Sequence, residues 1–280
     1  MSNVLIAIKN LIMNQVTSAD TSQNSEYKNR INNVGAALES LIKDSFCNTF
    51  SNDISSKHNI YSQVFSYIGN QNNPPDLIIK NGDAIEIKKI ENKNAGSLAL
   101  NSSFPKNKLY SDSSLITIDC KNCEPGWVEK DICYIVGQIN KNGKIGSISF
   151  VYGDCYCAKP EIYTKIKNQV TDSILELGIE CHKTNEIAKI KKVDPLGITD
   201  LRVRGMWSIQ HPHKLFASII TATDKTYIMA IMTKQKFDCY DADLVQELKE
   251  LGVVIKAVNI QNPNNPAQVI EACLIEYIFE

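Results

Sequence analysis

At 280 residues, 43% hydrophobic and 22% charged, the chain is long enough to bury a sizeable core in one domain or in one domain with a small appendage. A net charge of −1 argues against a non-specific nucleic-acid coat, but not against an enzyme that concentrates positive charge along a cleft. No apolar run approaches a membrane span, and Met1-Ser2-Asn3-Val4 opens no basic-then-apolar leader, so the expectation is a cytoplasmic protein with no membrane partner.

The first periodic segment, from about Val4 to Gln15, is apolar at Leu5, Ile6, Ile8, Leu11 and Ile12 and predicts a helix. A polar Ser/Thr/Asn stretch follows as a loop. A longer helix is expected over about Lys28 to Phe50, with Ile31, Val34, Ala37, Leu38, Leu41, Ile42 and Phe46 as its buried stripe. Glu39 lies beside that stripe.

The next segment carries the chemistry. Residues 73–89 read Asn-Pro-Pro-Asp-Leu-Ile-Ile-Lys-Asn-Gly-Asp-Ala-Ile-Glu-Ile-Lys-Lys, two Ile-rich arms around an Asn81-Gly82 turn signal. A three-residue loop at Asn81-Gly82-Asp83 would set Asp76 opposite Lys88 and Ile78 opposite Glu86, with Asp76, Glu86 and Lys88 on one face. A two-residue turn at Asn81-Gly82 would send Asp76 to the other face. Two carboxylates on one face repel unless a cation lies between them, and hard oxygen ligands call for Mg²⁺. Lys88 would then point at a metal-bound water or at a phosphate. The plain alternative is a surface hairpin with an ordinary Glu–Lys ion pair.

Lysines gather around this motif at Lys80, Lys88, Lys89, Lys93, Lys106 and Lys108. Residues 101–106, Asn-Ser-Ser-Phe-Pro-Lys, read as a loop whose Ser103 and Lys106 suit phosphate contacts, or as a self-satisfied turn. Strands are expected over 115–120, 131–139 and 145–152, the last two joined by a hairpin at residues 141–144. Cys120-Lys121-Asn122-Cys123 has zinc-knuckle spacing, but Cys155-Tyr156-Cys157 is a poor second half, and the remaining cysteines read as small buried hydrophobes. An amphipathic helix follows Pro160, over 161–177. Strands near 216–221, 227–233, 253–260 and 269–277, with a helix over 241–251, complete the chain. The sum is an α/β fold, a mixed β-sheet flanked by helices with a β-rich C-terminal extension: a core of about 28–215 and an extension of about 216–280 in one domain.

Three blocks carry a family resemblance. They are Phe65-Ser66-Tyr67-Ile68-Gly69-Asn70 running into Asn73-Pro74-Pro75-Asp76 and Glu86-Ile87-Lys88-Lys89; residues 99–106 followed by Lys108-Leu109-Tyr110-Ser111-Asp112; and Asp194-Pro195-Leu196-Gly197-Ile198-Thr199 with Leu201-Arg202-Val203-Arg204-Gly205-Met206-Trp207. Together they span most of residues 30 to 215, and they resemble the NgoPII family of type II restriction endonucleases, which carry the PD-(D/E)xK site. The resemblance implies a restriction-endonuclease-like core and a Mg²⁺-dependent enzyme acting on double-stranded DNA. Such an enzyme would cut a short palindrome, GGCC being the site associated with the family, and leave 5′-phosphate and 3′-hydroxyl ends. It implies catalytic roles for Asp76, Glu86 and Lys88 and a metal held by Asp76, Glu86, Ile87 and Glu39, although Glu39 also reads as an exposed helix glutamate. Arg202 and Arg204 become candidates for guanine edges, or for ion pairs with Asp194 or Asp200, and Ser103, Lys106 and Lys89 for DNA contacts. Trp207 reads as a packing anchor, and His211 and His213 as loop histidines, with contact to phosphate or bases as the other reading. A homodimer matching the palindrome and a cognate DNA methyltransferase as genetic partner are expected. Two other classes stay open: a structure-specific repair or recombination nuclease, and a non-catalytic DNA-binding module of the same fold.

Overall fold

The computed structural model describes residues 1–19, 30–70, 73–91, 96–100, 103–140, 142–176, 181–182, 188–191, 193–203 and 205–280. Helix α1 (Val4–Met13) is capped by Asn3, whose side chain accepts the Ile6 N–H, and it buries Val4, Leu5, Ala7, Ile8 and Leu11 completely. Helix α2 (Arg30–Cys47) buries Val34, Ala37, Leu38, Leu41, Ile42 and Phe46 at spacings of three and four, as its sequence predicts, while the side chain of Ile31, the first of the predicted stripe, lies outside the description. Helix α3 (Ile54–Val64) carries no comparable stripe, so apolar periodicity does not reveal it. Polar contacts fix it instead. Asp53 caps its start through Ser56, and Lys57 and Tyr61 both bond the Asp44 carboxylate of α2 at 2.6 Å.

Strands β1 (Phe65–Asn70), β2 (Asn73–Ile79) and β3 (Ala84–Ile90) form an antiparallel meander. After β4 (Ser97–Ala99) and β5 (Lys108–Tyr110), residues 115–120 do not form the expected strand. Thr117 accepts the Cys120 N–H and starts the short helix α4 (Ile118–Lys121). The long strands β6 (Glu129–Ile139) and β7 (Ile145–Tyr152) pair as a hairpin, followed by α5 (Gly153–Tyr156) and α6 (Pro160–Glu176). Short strands β8 (Cys181–His182), β9 (Ala188–Ile190) and β10 (Leu201–Val203) make a small sheet of their own, while β11 (Ser208–Gln210) pairs with β4. The segment near 216–221 is not a strand either. It continues α7 (Pro212–Leu215) as tight turns, with the Ile219 and Ile220 N–H groups returning to the Phe216 carbonyl. Then come β12 (Tyr227–Thr233), α8 (Lys234–Phe237), α9 (Ala242–Glu250), β13 (Val254–Asn262) and β14 (Asn265–Ile278).

The large mixed sheet runs in the order β1-β2-β3-β6-β7-β12-β14-β13, with β5 added to β6. β3 lies parallel to β6 and β12 parallel to β7, so the C-terminal strands extend the same sheet that holds Asp76, Glu86 and Lys88. Alternation divides the apolar residues between two faces. One carries Leu77, Ile79, Ile85, Ile87, Cys133 and Ile135 beneath α1 and α2. The other carries Ile78, Ala84, Ile132, Tyr134 and Val151 with Cys120, Cys155, Tyr156 and Phe216. Two glycines permit close approaches that bear on the site. At Gly137 a Cβ would lie 2.6 Å from the Leu38 side chain, so α2 packs directly on β6. At Gly69 it would lie 2.2 Å from the Pro75 carbonyl, so β1 can hold the residue just before Asp76.

Candidate active site

The β2–β3 hairpin brings the motif together in a register different from the expected one. Leu77 pairs with Ile85 and Ile78 with Ala84, and the loop is Lys80-Asn81-Gly82: the Ile79 N–H reaches the Asp83 carbonyl at 3.0 Å and the Gly82 N–H the Ile79 carbonyl at 2.8 Å. Asn81 takes the left-handed conformation at φ 54°, which its short polar side chain tolerates. Asp83 leaves the turn because its carboxylate is wanted elsewhere, by the Tyr152 hydroxyl and the Lys236 ammonium, each at 2.6 Å. Counting back along this register places Asp76 opposite Glu86 rather than Lys88. The displacement is two residues, an even number, so Asp76, Glu86 and Lys88 still share a face.

On that face Lys88 Nζ lies 2.6 Å from Glu86 Oε1, and the Ile87 N–H donates to Asp76 Oδ2 at 2.5 Å. Glu86 is only 8% exposed, and its second oxygen, Oε2, is buried without a hydrogen-bond partner among the described residues. Burial and the adjacent Glu86 charge raise the Asp76 pKa to about 7. For Lys88 burial acts downward, but Glu86 and Asp76 outweigh it and the net shift is upward, which keeps the ammonium protonated. An orphaned carboxylate oxygen beside a second carboxylate that resists ionisation is a pair short of a cation. Both are hard oxygen donors, so the residues fit a small divalent ion such as Mg²⁺.

The other expected site residues divide. Glu39 sits on α2, which covers the opposite face of the sheet, and its charge is the weakest of those named as acting on Asp76 and Lys88. Among the described residues no three His, Cys, Asp or Glu side chains converge as a metal cluster, the cysteines included. Burial instead pushes the Cys120 and Cys157 thiols up to about 12. Lys89 bonds Glu91 at 2.8 Å. Lys106 is no surface lysine: it is 6% exposed, with Nζ bonded to Ser103 Oγ. Asn101 and Ser102, from the same loop, lie outside the described residues.

Arg202 is exposed on β10, opposite Lys189, and Arg204 lies outside the described residues. Asp194 spends its carboxylate on the N–H groups of Leu196, Ile198 and Thr199, and Asp200 faces Lys189 at 3.4 Å. Trp207 anchors its segment as expected, packed edge-on to Tyr163 and Phe104, and its carbonyl accepts the Leu100 N–H at 2.8 Å. His211 caps α7 by accepting the His213 N–H, and His213 Nε2 meets Ser149 Oγ at 3.1 Å. Sequence reasoning passed over Tyr134 and Gly153, which pack against Lys106, and Lys236, which bonds Asp83; a buried strand tyrosine, a glycine after a strand and a lysine in a short helix carry no local signal of those contacts.

The sequence profile of the NgoPII restriction endonuclease family matches residues 2–264. A relative from Neisseria gonorrhoeae, described as type II restriction enzyme NgoPII, is 42% identical over 279 residues, covering 98% of this chain and 99% of its own length. No solved structure matches the chain.

Proposed function

The chain belongs to the NgoPII restriction endonuclease family, and from that membership we propose that it is a type II enzyme hydrolysing double-stranded DNA at a short palindrome, GGCC, with Mg²⁺ as its cofactor. The observation that carries this reading is the buried, unpartnered Glu86 Oε2 on one face with Asp76 and Lys88. Asp76 and Glu86 would hold the ion, joined by the Ile87 carbonyl, which lies on the same strand edge as the N–H that Asp76 accepts. When bound, such an ion polarises a phosphate oxygen and acidifies a water. Lys88, kept protonated by its carboxylate neighbours, orients the attacking water and neutralises charge that grows on the phosphorane; it is a stabiliser and not the base. The water oxygen bonds to phosphorus and the bond to the 3′ oxygen breaks. The water's proton goes to solvent, the leaving oxygen takes one from solvent, and the ends are 5′-phosphate and 3′-hydroxyl.

Cutting both strands of a palindrome calls for two sites related by a twofold axis, hence a homodimer. A chromosome carrying the same palindrome calls for a cognate DNA methyltransferase, and the cytoplasm is where the two would share a substrate. Arg202 and Arg204 are assigned to guanine edges; at fixed salt, Arg202→Ala should lower the ratio of cognate to mismatched affinity, and an unchanged ratio for both single variants would move base reading elsewhere. The test of the whole reading is digestion of unmethylated DNA of known sequence with Mg²⁺, followed by mapping of the ends. Ends confined to GGCC, and lost after cytosine methylation of that site, are expected. Cutting at branches or at unrelated sequences would refute it.

A further inference from the structure

One buried charge beside the carboxylates has no part in that scheme. An ammonium 6% exposed is costly unless something requires it there. Lys106 is built into its position. Its N–H donates to the Tyr134 hydroxyl at 2.7 Å, and that hydroxyl donates back to the Lys106 carbonyl at 3.2 Å. Tyr134 is the neighbour of Glu86 in the parallel β3–β6 register. From the other side Gly153 lets the chain pass so closely that a Cβ there would lie 2.6 Å from the Lys106 carbonyl. Asn107, the next residue, is tied to Asp154 at 3.1 Å. The side chain is tethered too, through Ser103 Oγ, and Glu86, Lys88 and Asp76 are all near enough for their charges to act on it. It nevertheless leaves Glu86 Oε2 without a donor, so neutralising that carboxylate is not its function.

We propose that Lys106 is a second reaction-centre lysine, which contacts a non-bridging oxygen of the scissile phosphate while Ser103 holds its ammonium in place. The inference rests on reading the site as a phosphodiesterase centre. A phosphate entering among Asp76, Glu86 and Lys88 brings anionic oxygens that gain charge as the water attacks, and a fixed cation stabilises that charge without reorganising. No proton moves in this role. Burial draws the Lys106 pKa down, and the arriving anion favours the charged form.

The test is single-turnover cleavage of a GGCC duplex by wild type and Lys106→Met, with oxygen and with Rp or Sp phosphorothioate at the scissile position. Lys106→Met should cut ~100-fold more slowly, bind the duplex within about threefold of wild type, and lose the sulfur effect of one diastereomer only. Cleavage at the wild-type rate, or slow cleavage with both sulfur effects intact, would overturn the proposal, because a merely structural lysine gives the second pattern. Should Lys106→Met fail to fold by thermal melting, Ser103→Ala decides, since it frees the ammonium without removing it. Slower cleavage with a weakened effect of the same diastereomer supports the contact, and a wild-type rate refutes it. A wild type that cuts no DNA refutes the endonuclease reading itself, a result separable from any variant's.

Discussion

Asp76, Glu86 and Lys88 share a face for a reason that tolerates error. Side chains alternate with period two, so the expected loop could be misplaced by one residue on each arm without moving any of the three to the wrong side. Lys106 is legible in the sequence as a candidate for phosphate contact, but not as a buried residue. Its burial depends on Tyr134 and Gly153, which are distant in sequence, and nothing in residues 101–106 announces them. His211 shows the same limit: it reads as a loop histidine, yet it is 3% exposed and caps α7. Burial lowers its pKa below the usual 6.5, so the folded state prefers the neutral ring. A depressed folded value means that this contribution is complete above about pH 6.5 and is lost as the pH falls through the folded pKa. Urea midpoints should therefore fall on acidification below about pH 6.5, and less steeply in His211→Asn, which keeps a capping oxygen. Equal slopes in the two proteins would contradict the assignment.

Among elements, those with strong apolar periods were readable. α2, β7, β12 and β14 follow their patterns closely, because each buries one face or both in the sheet core. Those set by polar contacts were not. β-branched residues make 115–120 look extended, yet the Thr117 hydroxyl turns the chain into α4; α3 is fixed by Asp53 and Asp44. α8 is the most consequential omission. From it Lys236 Nζ reaches Asp83 at 2.6 Å and Asp131 at 2.7 Å, fastening the tip of the β2–β3 hairpin to β6 and to the C-terminal part of the chain. Lys236→Met should cost about 2–4 kcal/mol, because it leaves two partly buried carboxylates facing each other. It should also slow cleavage, since Asp83 fixes the loop that sets the register. Adding Asp83→Asn should restore part of the stability in a urea-melt double-mutant cycle. Simple additivity would show that the clamp does not exist.

For the whole molecule, the sequence indicates an α/β chain with a mixed sheet, and no described helix is long and apolar enough to cross a membrane. It does not indicate strand order. The parallel pairing of β7 with β12 joins residues about 80 apart, and no local pattern encodes it. The proposed cutting of a palindrome makes a further demand on the assembled protein: a mass measurement on the free protein and on its DNA complex should give two chains, and monomer in both would count against symmetric cutting. The central claim is that Asp76, Glu86 and Lys88 perform the chemistry without supplying most of the affinity. Its most direct test is cleavage and binding of one GGCC duplex by Asp76→Asn, Glu86→Gln and Lys88→Met, with Mg²⁺ for cutting and without it for binding. The account predicts cleavage reduced by at least ~10³-fold in each variant, with duplex affinity within about tenfold of wild type. Near-normal cleavage by the Glu86 or Lys88 variant would contradict it.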